Sequence, residues 1–393
     1  MGNSEPILLF IVGAGILQAL LLGALLYFHP KGDKAVTSWL ALYIISLCLP
    51  MFIPVLQQLV SWQMVTITEP VTLLIGPMLV LYVNSFKETI TWRKAFPHFI
   101  LFFLVLLFAT YMYNRFIRLY PWSTAMPVEI LNSPQVLIRS VIRIGQMAIY
   151  YFLARRSLNR YQHSIEHLYS ETSRINLGWV RWLINGYLVL MCTGIVFYFL
   201  MRIFPLHFNF LFLANLAFVC PYIYLVTIKG MTQPTLWQVH PEWRKEKIEQ
   251  EFHEVEALEH QTGDDKSKNV KTGLPSEKTT DIVARTLNLM EKDKLFQESE
   301  LSLQDLADKL QQPAYIVSQA INDGLQKSFY DLVNGYRVEE AKRLLRNPEN
   351  QNYKILSVGF EAGFNSKTTF NTVFKKFTGF SPSDYREQHT AVQ

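Results

Sequence analysis

The sequence predicts an all-α protein: a polytopic seven-helix membrane bundle followed by a helical domain that carries two helix-turn-helix units. Three observations support this. The chain's 393 residues are 50% hydrophobic and 14% aromatic, with a mean hydropathy of +0.13, which is too apolar for a purely soluble protein. Seven apolar segments fill residues 1–228, each near the roughly 20 residues that a helix needs to cross a bilayer. Residues 277–393 then switch to apolar residues at helical spacing, interrupted by turn signals. The domains expected are a transmembrane sensor domain over 1–228, a charged linker with a short helix over 229–276, and the helix-turn-helix domain over 277–393.

The seven segments are Ile7 to Phe28, Val36 to Val60, Thr68 to Phe86, Phe96 to Tyr113, Pro134 to Leu153, Trp179 to Ile203 and Leu206 to Ile228. The N-terminal Met-Gly-Asn-Ser-Glu-Pro lacks the basic region of a signal peptide, so its apolar run is expected to be retained. One set of loops carries Lys31, Lys34, Lys87, Arg93, Lys94, Arg155, Arg156, Arg160 and Arg174, whereas the opposite set carries only Arg115, Arg118 and Arg202. The richer set belongs on the cytoplasmic side. The expected protein is therefore a multi-pass protein of the cytoplasmic membrane, with its N-terminus outside and its C-terminal domain in the cytoplasm. Pro50, Pro54, Pro70 and Pro77 stand where they can kink the second and third spans, although packing alone accounts for prolines in membrane helices. Cys48, Cys192 and Cys220 all lie in apolar segments without metal or disulfide spacing, and read as small core residues.

The fifth span carries polar residues on one face. Gln135, Arg139, Arg143 and Gln146 recur at spacings of four, four and three, and charge inside a membrane is costly and usually functional. For a helix starting near Pro134, Arg139 lies roughly 8 Å deep and Arg143 roughly 14 Å. Two readings stay open. The arginines pair with Glu69 or Glu129 and hold the bundle together, or Glu69, Gln135, Arg139, Arg143 and Gln146 form a ligand site. In the second reading no acidic residue of a span is placed to neutralise Arg143, which leaves a bound anion, a lipid headgroup, a water-filled cavity or backbone carbonyls, and the site is expected to recognise an anionic group reached from the outer side.

The net charge of +5 is unevenly spread. Residues 1–228 hold 15 Lys+Arg against 7 Asp+Glu, and the remainder holds 22 against 25. The basic balance thus follows the loop-charge rule and gives no compositional support for nucleic-acid binding. Within the linker, Glu242 to His260 has helical spacing and reads as a solvated stalk or a short coiled-coil seam, and Gln261 to Pro275 is flexible by composition. A helix over Glu277 to Glu291 offers Ile282, Leu287 and Met290 for docking.

In the C-terminal domain, Leu303, Leu306, Ala307 and Leu310 mark a first helix, Gln311 to Pro313 a turn, and Tyr315 to Asn322 a second helix around Val317 and Ile321. Phe329 to Leu345 reads as one long amphipathic connector. A second unit follows: Ile355, Val358 and Ala362 share a face, Gly363 can take the left-handed turn, and Asn365 or Ser366 can cap the next helix. That helix is expected to bury Phe370, Val373, Phe374 and Phe377. Lys367, Thr368, Asn371, Thr372 and Lys375 then form a short, polar, lightly basic face, as a major-groove reader needs.

Over roughly Leu301 to Arg386 the chain resembles the AraC/XylS family of bacterial transcription regulators. The matching residues are Leu306-Ala307, then Tyr336-Arg337-Val338 with Ala341 and Leu344-Leu345 on the connector. In the second unit they are Gly363-Phe364, Phe370, Phe374-Lys375, Gly379, Pro382 and Tyr385-Arg386. Gly359 stands where the family usually has Ala, which weakens the helix by about 1 kcal/mol. Gln312 and Pro313 replace the usual apolar residue and Ser, which points to weaker binding or a different docking angle for the first unit. The resemblance implies base-facing roles for Tyr315, Ser318, Gln319 and Asn322, and for Lys367, Thr368, Asn371 and Thr372. It implies phosphate contacts from Ser366, Lys375 and Lys376.

The partners expected are double-stranded promoter DNA, membrane lipid and a small-molecule or anionic ligand, with a homodimer and RNA polymerase left open. No cofactor is expected. Catalysis is not expected either: there is no Walker loop or Gly-rich nucleotide fingerprint, and His163 and His167 lack the Glu of a zinc-protease pair. The competing class is a membrane receptor or transporter whose helical tail binds a protein partner.

Overall fold

Apolar runs bounded by polar or proline-bearing turns fold into helices throughout the computed structural model, which describes residues 4–28, 33–53, 56, 60–120, 130, 133–170, 177–203, 208–232 and 276–390. The chain divides into two compact units, 1–159 with 177–245, and 160–176 with 246–393. The readings placed on Pro54, Glu129, Glu242 to His260 and Gln261 to Pro275 lie outside the described residues.

The first unit contains α1 (Ser4–Phe28), α2 (Lys34–Cys48), α3 (Met64–Thr68), α4 (Ile75–Asn84), α5 (Trp92–Ala95), α6 (Ile100–Leu119), most of α7 (Pro134–Leu168), α8 (Gly178–Ile203) and α9 (Phe208–Thr232). Asp33 caps α2 by accepting a 2.9 Å bond from the Ala35 amide. The second and third apolar segments, expected as single helices, are interrupted. Pro50 falls in a 3-10 turn over Leu49–Met51, and Pro70 opens another over Glu69–Leu74 that separates α3 from α4. Proline has no N–H to give the α-helical ladder, which breaks there. Among the described residues, six helical stretches are long and apolar enough to cross a membrane: Lys34–Met51, Met64–Asn84, Trp92–Leu119, Pro134–His167, Gly178–Leu200 and Ala214–Thr232. Among the described residues, α1 adds a shorter apolar stretch, Val12–Phe28. Leu104, Leu107, Val141 and Val189 are exposed, an outer surface suited to lipid tails.

Inside this unit, buried hydroxyls tie helices together. The Tyr43 and Tyr222 hydroxyls lie 2.9 Å apart, Tyr222 also donates to the Leu183 carbonyl at 2.8 Å, and Tyr187 donates to that of Met147 at 3.3 Å. In a solvent as apolar as the helices themselves, such bonds and close packing take over from the hydrophobic effect.

The second unit contains α10 (Ser276–Glu291), α11 (Leu303–Leu310), α12 (Ala314–Leu325), α13 (Phe329–Arg346), α14 (Ile355–Glu361), α15 (Lys367–Thr378) and α16 (Pro382–Thr390). Two apolar cores form, and α13 serves both. Phe329, Leu332 and Val333 join α10, α11 and α12 in the first core, while Val338, Ala341, Leu344 and Leu345 join α14, α15 and α16 in the second. Arg337 sits fully buried between those two sets of α13 residues. Its Nε donates to the Phe296 carbonyl at 2.8 Å, and its Nη2 to the Glu298 carbonyl at 2.7 Å and to Ser170 Oγ at 3.2 Å. Ser170, just beyond α7, also accepts from Asn334 Nδ2 at 2.9 Å through its carbonyl. A buried arginine is tolerated only when its donors are matched in this way.

Candidate nucleic-acid interface and an arginine cluster

In the second helix-turn-helix unit, α14 ends at a turn in which Gly363 takes φ +96°. A side chain there would meet the Phe296 carbonyl oxygen at 2.6 Å, so the position needs glycine on two counts. Ser366 is the cap of α15, its Oγ accepting from the Thr369 amide at 3.1 Å. Asn365, the alternative cap, has amide atoms that are buried without a hydrogen-bond partner among the described residues. Phe370, Val373 and Phe374 are buried, with ring centroids 5.1 Å apart for Phe364 and Phe370, 5.6 Å for Phe370 and Phe374, and 5.3 Å for Phe374 and Tyr385. The expectation that Phe377 completes this ladder is corrected. It is 40% exposed and forms part of the seat of Lys376, whose ammonium lies 5.7 Å from its ring centroid. The phenylalanine layer fixes the rotation of α15 and leaves Lys367, Thr368, Thr372 and Lys375 exposed, with Asn371 half-buried.

Lys376, expected at a phosphate, has its Nζ 2.9 Å from Asp331 Oδ1 and over the Tyr330 ring, in an ion pair open to solvent on both sides. The glycine at 359 has a packing reason: a Cβ there would stand 2.6 Å from the Phe370 ring. The departure from Ala therefore permits the close approach of α14 to α15.

The first unit is less open. α11 starts on a reciprocal capping box between Ser302 and Asp305, and Gln311 turns the chain at φ 54°. On α12, Tyr315 is exposed, while Gln319 and Asn322 are half-buried. Ser318, expected to face bases, is only 7% exposed and falls on the side of α12 turned toward the core. Asn322 Nδ2 lies 3.5 Å from His167 Nδ1. His167 in turn is 3.2 Å from His163, Nε2 to Nε2.

Near the connector's C-terminal end, the Arg343 guanidinium hydrogen-bonded to Glu340 holds that carboxyl below the usual carboxylate range against the opposing push of burial, with Lys294 adding to the effect.

In the first unit, Glu69 is shared by two arginines. Its Oε1 lies 3.1 Å from Arg143 Nη1 and its Oε2 lies 3.4 Å from Arg139 Nη1. This corrects the reading that no acid is placed to meet Arg143. The turn at Pro70 sets Glu69 at the junction of α3 and the 3-10 segment, where one carboxylate reaches two residues one helical turn apart on α7. Gln146 Nε2 donates to the Leu73 carbonyl at 2.7 Å, and Gln135 is exposed. Two residues join that had no place in the sequence-based site. Arg143 lies 5.7 Å from the Tyr198 ring centroid, and Arg202 lies 5.8 Å from the same ring while donating to its hydroxyl at 3.2 Å. The i,i+4 spacing of Tyr198 and Arg202 at the end of an apolar span was the signal for them.

A family model described as a helix-turn-helix domain matches residues 306–388, which runs from α11 through α16. The C-terminal domain is thus an AraC-type helix-turn-helix domain, and the chain N-terminal to it carries several apolar helices of membrane length. No curated protein and no solved structure matches the chain.

Proposed function

We propose that the protein is a membrane-bound one-component transcription regulator, which binds promoter DNA sequence-specifically and is controlled by a signal sensed in the membrane or from outside. The observation that carries this reading is α15. It is a capped, twelve-residue helix rotated by its phenylalanine layer so that Lys367, Thr368, Asn371 and Thr372 form one polar face, within the matched domain of a chain whose other half is built for lipid. Such a face fits the major groove, and the bare amides at the helix start, with Ser366 and Lys375, suit backbone phosphates. α12 supplies a second, narrower reader through Tyr315, Gln319 and Asn322. In this reading α1 crosses the membrane as a seventh span, which places the N-terminus outside and the helix-turn-helix domain in the cytoplasm.

The test is selection of genomic fragments at low salt by the purified full chain in detergent. Recovery of a shared sequence long enough for two successive major-groove segments is expected. A folded protein that retains fragments without sequence preference would sink the regulator reading.

A further inference from the structure

We propose that residues 160–170, the C-terminal end of α7 and the two residues after it, are an autoinhibitory clasp on the first helix-turn-helix unit, which lets go before α12 reads DNA. The proposal names the regulation of the DNA-binding site and rests on the regulator reading above, whereas docking of the clasp can be measured without DNA. The clasp belongs to the second unit and touches both helices of the pair. Tyr169 forms an antiparallel bridge with Ser302, the cap of α11, and packs against the first core. Ser170 is fully buried. Its amide donates to the Leu301 carbonyl at 3.3 Å and its hydroxyl to the same oxygen at 2.5 Å. On α12, the Asn322 Nδ2 lies 3.5 Å from the His167 ring. An asparagine reads adenine through both of its amide atoms, so an imidazole against Nδ2 keeps Asn322 from a base.

A contact that regulates has to be breakable, and stranded buried donors would make it permanent. The donors that meet Ser170 each have another partner. Arg337 keeps the Phe296 and Glu298 carbonyls when Ser170 leaves, and Asn334 Nδ2 also donates to the Tyr330 carbonyl at 3.0 Å. Ser302 keeps its capping box with Asp305. The Leu301 carbonyl loses both Ser170 donors, but the same departure uncovers it to water. The clasp ends the helix that carries Arg139 and Arg143, since α7 runs from Pro134 to Leu168. A signal acting on that helix shifts the docking equilibrium only as far as it favours the docked or the released state.

Residues paired across an antiparallel bridge have Cα atoms within the span of a disulfide. Tyr169→Cys combined with Ser302→Cys is therefore expected to crosslink under mild oxidation of the full chain in detergent, with the yield read by peptide mass spectrometry. Each single substitution controls for Cys48, Cys192 and Cys220 and for the altered cap. Apparent affinity falls in proportion to the competent fraction, so the oxidised double variant should retain genomic fragments at low salt at least about tenfold more weakly than the same sample after reduction. Added DNA should in turn lower the crosslinking yield, because the coupling is reciprocal. His167→Ala with Ser170→Pro, which removes the ring at Asn322 and both donors to Leu301, should bind more tightly than wild type. If the cysteines do not join, if the oxidised and reduced forms bind alike, or if the released variant binds no more tightly than wild type, the clasp is overturned. These comparisons need no particular DNA sequence, so their outcome stands apart from failure of the fragment selection to find one.

Discussion

Arg337 is the residue on which both helix-turn-helix units depend. Its guanidinium joins the Phe296 and Glu298 carbonyls to Ser170 and lies 5.9 Å from the Phe364 ring centroid, so it touches both cores at once. Arg337→Met should cost about 3–5 kcal/mol, because it strands buried carbonyls. Lysine should rescue little, having no planar fork. Urea unfolding of the domain within the full chain, followed by circular dichroism, checks both. Gly359 sets two effects against each other. Alanine gains up to about 1 kcal/mol of helix propensity, but it forces a methyl into the Phe370 ring, and overpacking costs about 1–3 kcal/mol. A net loss is expected; equal or greater stability would mean that the ring moves aside freely. At Glu340 the folded carboxyl titrates below its unfolded value near 4.3. Its contribution is therefore present above that pH and is lost as pH falls through the lower folded value. The stability gap between wild type and Glu340→Gln should close below about pH 4. Arg337 was visible in the sequence only as part of a family pattern. Its partners at 170 and 296–298 are too far away in the chain for any periodicity to reveal them.

At the scale of the element, the two reading helices differ, and the difference comes from burial. α15 has a clean polar face because Phe370, Val373 and Phe374 hold it by one side, whereas on α12 Ser318 turns inward and Asn322 lies against His167. Asn371→Ala is accordingly expected to lose about 1–3 kcal/mol of discrimination at particular base pairs, and Gln319→Ala less. Lys375→Ala should weaken all sequences alike and reduce the salt slope by about 1. Competition binding against single-base variants of the selected site separates these outcomes; a uniform loss for Asn371→Ala would place that residue on the phosphates instead. The helices themselves were legible because their signals are local. Leu303–Leu310 and the Gly363 turn are observed as read, Ser366 is the cap of the two candidates offered, Asn365 and Ser366, and the connector gains only Arg346 at its end. The rotation of α12 was not legible, because a short serine-bearing helix with apolar residues at 316, 317, 320 and 321 leaves two ways to turn its edge.

At the scale of the whole molecule, the charge pattern and the apolar helices make a claim that a parity experiment can decide. Among the described residues six helices have the length and composition to cross a membrane, and α1 contributes the apolar stretch Val12–Phe28. If α1 crosses too, the number of crossings is odd and the chain's two ends face opposite sides; if it does not, they face the same side. Composition made the membrane half readable. The proline-bearing interruptions at Leu49–Met51 and Glu69–Leu74 were only half readable, because proline marks a break without showing which side chain the break will aim. At Glu69 it aims a carboxylate that reaches both Arg139 and Arg143. The proposed orientation is a prediction from the loops: Lys87, Arg93, Lys94, Arg155, Arg156 and Arg160 gather on one set and Arg115, Arg118 and Arg202 on the other, and cationic loops tend to be retained in the cytoplasm. A reporter enzyme active only in the cytoplasm should therefore work when fused after Arg160 and after Ile228, and should be silent after Met126, which lies outside the described residues. A reporter active only outside should work when placed ahead of Ile7. Cytoplasmic activity after Met126 would reverse the bundle, and a silent fusion ahead of Ile7 together with an active one after Ile228 would remove α1 from the count of spans. In that case the helix-turn-helix domain would still face DNA, but both ends of the chain would lie on the cytoplasmic side, and α1 would be a helix lying along the membrane rather than through it.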